Sequence, residues 1–90
     1  MDLLINISSG IRDPVRVLHH PAVNNTFLLL KMSMDDLYYD RWVVMERSSM
    51  MIVVVAASMS SAIYLINDFL AGMTQDKFDV FLALMREFNE

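Results

Sequence analysis

Hydrophobic positions along this 90-residue chain change their spacing near Ser33, and the change divides the chain into residues 1–32 and 33–90. In the first part the apolar runs are short and alternate with polar residues. Leu3, Ile5 and Ile7 alternate with Leu4, Asn6 and Ser8, the period expected of a half-buried strand. Ser8-Ser9-Gly10 reads as a turn, Val15 to His19 alternates again, and Pro21 prevents that run from continuing as helix. Asn24-Asn25 suits a hairpin turn because asparagine tolerates positive φ, and Phe27 to Met32 then reads as the returning strand.

From Ser33 onward the pattern fits a helix. Ser33 is placed as an N-cap, and Asp35 and Asp36 suit the positive end of a helix dipole. At helical spacing Leu37, Val44, Met45, Met51, Ile52, Val55, Met59, Ala62, Ile63, Ile66, Phe69 and Leu70 fall on one face. Glu46, Ser49, Ser60, Ser61, Asn67 and Asp68 fall on the opposite one. Gly72 stands where a left-handed terminating residue belongs, and Thr74 starts a further helix carrying Phe78, Phe81, Leu82, Met85 and Phe88. The sequence therefore predicts an α+β fold: short N-terminal strands or a β-hairpin, a long amphipathic helix, and a C-terminal helix folded back on it as a helical hairpin.

Length complicates the long helix. An unbroken helix from Met34 to Ala71 would extend about 57 Å, whereas a globule of this size is only about 31 Å across. Breaks are expected at Arg47-Ser48-Ser49 or Ser58 to Ser61. A rival reading makes Leu37–Glu46 and Met50–Ala57 a hairpin, since Tyr, Trp, Val and Ile favour strands. The sustained helical phase favours the helix.

Composition adds a constraint. Hydrophobic residues make up 56% of the chain, and a single domain this short buries only about 60–65% of its unfolded surface. With no cysteine, disulfides and thiolate metal sites are excluded. Oligomerisation or a partner is then the remaining means of covering apolar surface. The net charge is −4, and Arg41 and Arg47 are interleaved with Asp40 and Glu46, so no basic patch for nucleic acid is evident. The N-terminus lacks the basic stretch and long apolar core of a secretory signal, which makes the cytoplasm the expected location. Ser48 to Asn67, twenty residues without formal charge, are long enough for a single membrane span with the N-terminus cytoplasmic. Five serines and the polar helical arc weigh against that alternative.

Candidate chemistry is sparse. His19 and His20 would point to opposite sides of a strand and cannot converge on one metal. Asp36 and Asp40 share a helical face, but carboxylates in a first turn are favoured for ordinary dipole reasons. Nine methionines suit a core or an adaptable interface. Gly10 and Gly72 are the only glycines, so no phosphate-binding loop can be built. No catalytic residue, cofactor or metal is expected. The function expected is non-catalytic protein–protein interaction or assembly, as a homo-oligomer or as a small subunit of a larger complex. Its interface would use the stripe Met51, Ile52, Val55, Met59, Ile63 and Ile66. A small accessory inhibitor of viral type, occupying a host protein's surface, is a further alternative.

Overall fold

A computed structural model describes residues 14–32 and 40–88. Among these residues four strands, β1 (Arg16–Leu18), β2 (Phe27–Lys31), β3 (Trp42–Glu46) and β4 (Met51–Ala56), precede two helices, α1 (Met59–Leu70) and α2 (Gln75–Phe88). The strands form one antiparallel sheet in the order β1-β2-β3-β4. An α+β fold is thus present. The principal extents are 35, 30 and 19 Å, well short of the unbroken helix.

The N-terminal hairpin follows from its sequence. Pro21 and the Asn24-Asn25 pair sit in the connection, but the tight turn falls at Pro21-Ala22 and neither asparagine takes a positive φ. β1 and β2 pair in the register Leu18 to Phe27 and Arg16 to Leu29. The expected strand at Leu3–Ile7, the turn at Ser8–Gly10, the cap at Ser33, and Asp35, Asp36 and Leu37 lie outside the described residues.

The long helix is corrected. Residues 42–56 form the β3–β4 hairpin, and among the described residues helix begins at Met59. Two runs rich in β-branched residues, Trp42-Val43-Val44 and Ile52-Val53-Val54-Val55, flank a polar turn at Arg47–Met50. In that turn Met50 takes a φ of 60° and its N–H bonds Glu46 O at 2.8 Å. Branched side chains lose rotamer freedom in a helix and pack well on a pleated surface, so the strand wins. Val44 pairs with Val54 and Met45 with Ile52, leaving Val53 as the extra residue of a bulge. Ser48–Asn67 accordingly runs through a turn, a strand and the first part of α1. Among the described residues no helix is long and apolar enough to cross a membrane.

Both helices pack on one face of the sheet. Phe27, Leu29, Val44, Val54 and Ala56 on the strands meet Ala62, Ile66 and Leu70 of α1 and Phe78 and Leu82 of α2. A second apolar cluster, Leu30, Met32, Val43 and Met45, occupies the opposite face. Strands with both faces buried lose the period-two alternation. The sheet, more than a helix pair, organises the core: α1 and α2 meet through Phe69, whose ring lies 6.4 Å from Phe78 and 4.9 Å from Phe81. Phe78 also meets Phe27 of β2 edge-on at 5.6 Å, a favoured aromatic geometry.

Helix ends follow the residues at them. Ser58 keeps an extended backbone (φ −140°, ψ 161°), and its hydroxyl accepts from Ser61 N–H at 3.1 Å, starting α1. Gly72, at φ +77°, turns the chain after α1, and Thr74 Oγ1 accepts from Lys77 N–H at 3.2 Å to start α2. Removing the first cap is expected to cost about 1 kcal/mol. Ser58→Ala should therefore lower the melting temperature by about 4–8 °C. An unchanged melt would show that α1 does not depend on this cap.

Candidate functional site

Three surfaces merit attention, and the first is polar. Glu46 ends β3 on the helix-bearing face and is 1% exposed, the one buried charged residue among those described. Its Oε1 accepts from Ser49 N–H at 2.8 Å, its Oε2 from Asn25 Nδ2 at 3.1 Å, and the Ser48 hydroxyl lies 2.9 Å from both oxygens. A chain of bonds extends outward from there. Asn25 Oδ1 accepts from Gln75 Nε2 at 2.8 Å, Gln75 Oε1 accepts from Asn24 N–H at 2.6 Å, and Gln75 Nε2 also donates to Asp79 Oδ1 at 3.0 Å. The β3–β4 turn, the β1–β2 loop and the first turn of α2 are thereby joined.

Asn24, Asn25, Thr26, Glu46, Arg47, Ser48 and Gln75 line an open hollow of about 570 Å³. Burial raises the Glu46 pKa, but the hydrogen bonds from Ser49, Asn25 and Ser48 outweigh it and leave the value below that of an ordinary glutamate. A carboxylate held ionised with its oxygens occupied is poorly suited to donate a proton. Its role here is to fix a turn and anchor α2. No buried side-chain polar atom among the described residues lacks a partner.

The second surface lies beside β4. This strand forms one edge of the sheet among the described residues. It carries no charge and no proline from Met51 to Ala56. Val53, Val54 and Val55 with Leu65, Asp68 and Phe69 of α1 line a shallow groove of about 360 Å³. Val55 and Leu65 are each about two-fifths exposed.

The third surface is the outer side of α2. Phe78 and Leu82 are buried, whereas Val80, Leu84 and Phe88 are exposed by 58%, 51% and 90%. Spaced four apart, the exposed three form a stripe turned away from the sheet.

The expected interface stripe is divided between these regions. Val55 and Met59 are exposed, and Ile52 and Ile63 are half-buried. Met51 is buried beside Glu46, its neighbour across the β3–β4 pair, and Ile66 lies in the core beneath α1. The single helical phase of that stripe runs across a strand and a helix, so it takes residues from the inner and outer sides of each. Buried Glu46 was missed because the same phase put it on a solvent face. The signal for it is the serine pair Ser48-Ser49 two and three residues after a carboxylate, a local hydrogen-bonding pattern.

The remaining candidates have local structural roles. His20 Nδ1 accepts from Ala22 N–H at 3.1 Å, and His19 Nε2 lies 3.4 Å from Thr26 Oγ1. Asp40, exposed and at φ 62°, accepts from Lys31 Nζ at 3.1 Å, an ion pair of little energetic value in water. Its supposed partner Asp36 is outside the described residues. Among the described residues no group of three His, Asp or Glu side chains is placed to hold a metal. No protein family, curated protein or solved structure matches this chain.

Proposed function

We propose that this protein is a non-catalytic assembly protein that binds a second copy of itself along the outer edge of β4. The observation carrying this reading is that edge: a six-residue strand of β-branched and apolar residues, open among the described residues and bordered by exposed Val55 and Leu65. Unpaired strand edges recruit other strands, and proteins that avoid this place lysine or proline there. β4 has neither. The bulge at Val53 bends the strand, so Val54–Ala56 is the run left for pairing.

The occupant follows from charge. A charged strand would set unpaired charge against Val53 and Val55, which is costly where water is excluded. An identical strand, uncharged from Met51 to Ala56, brings no such penalty. Two β4 strands pair antiparallel about a two-fold axis perpendicular to the sheet, giving eight strands with four helices on one side. Valine and leucine buried in that contact contribute roughly 1.5–3 kcal/mol each if fully covered.

Val55→Asp tests this reading. Val55 is 40% exposed in the isolated chain, so the fold should tolerate aspartate there while the contact does not. Light scattering is expected to show a lower assembly mass than for the parent, with unchanged far-ultraviolet circular dichroism. An equal mass would remove β4 as the contact.

A further inference from the structure

We infer that α2 carries a second, independent self-association surface, an antiparallel helix pair between two copies with Val80 and Leu84 at its centre. The fold leaves one side of α2 unused. Phe78 and Leu82 take the inner face of α2, and Leu84, Val80 and Phe88 project to one outer side. Lys77 and Glu87 share that outer side at helical spacing, and neither forms an ion pair among the described residues. The order Lys77, Val80, Leu84, Glu87 has the three-four-three spacing of a coiled-coil seam, with a charge at each end and apolar residues between.

Those charges select the occupant and its direction. In an antiparallel pair with its two-fold beside Leu82, Val80 meets Leu84 of the second copy. Lys77 then meets Glu87 at both ends. A parallel pair would instead set Lys77 against Lys77 and Glu87 against Glu87. These four positions are thus complementary to themselves in one orientation only, which points to a second copy of this chain. The seam lies on α2, whose Phe78 meets Phe27 of β2 edge-on, while the β4 edge is bordered by α1. The two contacts therefore use different elements, and this inference stands without the β4 reading.

The experiment uses the full chain in the Val55→Asp background, which takes the β4 contact away. Sedimentation equilibrium is expected to give a particle of two 10.4 kDa chains. Adding Leu84→Glu, at a half-exposed position, should give a single chain with unchanged circular dichroism. Lys77→Glu or Glu87→Lys alone should weaken the pair about tenfold, from two like-charge contacts at its ends, and the double exchange should restore it. A single chain for Val55→Asp alone would overturn the inference, as would two chains persisting with Leu84→Glu, or an exchange that does not restore pairing. Failure of the β4 reading looks different: Val55→Asp leaves the parent mass unchanged, and Leu84→Glu still lowers it.

Discussion

Phe78→Ala is expected to cost about 3–5 kcal/mol, a large fraction of the stability of a domain this size. Phe78 is fully buried and contacts rings from three elements: Phe27 of β2, Phe69 of α1 and Phe81 of its own helix. Its removal leaves a cavity at the place where α2 is held to the sheet, and the neighbouring rings belong to separate elements that cannot all close on it. Urea denaturation followed by circular dichroism would show a midpoint lower by one molar or more, since m-values for small domains are about 1–3 kcal/mol per molar. Arg86→Ala, at an exposed position of the same helix, should change stability by no more than about 0.5 kcal/mol. Equal losses from the two would mean that α2 presents a different face to the sheet.

Glu46→Ala should be the next most damaging change, at about 2–3 kcal/mol. Ser49 N–H, Asn25 Nδ2 and the Ser48 hydroxyl all lose an ionised acceptor. The open hollow beside them admits water, which limits the loss. Hydrogen bonding lowers the Glu46 pKa in the folded chain, so its ionisation stabilises the fold above the unfolded value, about 4.3 for glutamate. That contribution is lost as pH falls through the lower folded value. Melting temperature in the parent should therefore drop on acidification below about pH 4.3, and the slope should be shallower in Glu46→Gln. Identical acid profiles would show that this carboxylate does not set acid stability.

The parts of the fold legible in the sequence are those where a local signal and the tertiary environment agree. Pro21, Asn24 and Asn25 mark the β1–β2 connection, and the run Val15–His19 contains β1, although its Val15 and Val17 are left exposed. Gly72 and Thr74 bracket the start of α2, whose Phe78 and Leu82 stand at the buried positions. β3 and β4 were harder. Val43 and Met45 face one cluster and Val44 the other, so β3 has an unbroken apolar run, and periodicity alone cannot tell such a run from a buried helix. The bulge at Val53 further shifts the inward and outward positions of β4. β-Branched composition was the better guide there, and the helical phase across Met51–Ile66 arose by chance. Of the candidate interface, Val55 and Met59 are placed outside by the fold, while Met51 and Ile66 are committed to the interior. Glu46 shows the same difficulty for polar residues: its partners Ser48 and Ser49 are adjacent in sequence, but Asn25 and Gln75 come from distant segments.

Self-assembly is the central claim, and the mass of the full chain in solution tests it most directly. Light scattering coupled to size exclusion, without detergent and at several loading concentrations, should give a particle of more than one 10.4 kDa chain whose mass falls on dilution. A particle of one chain at every concentration would contradict it.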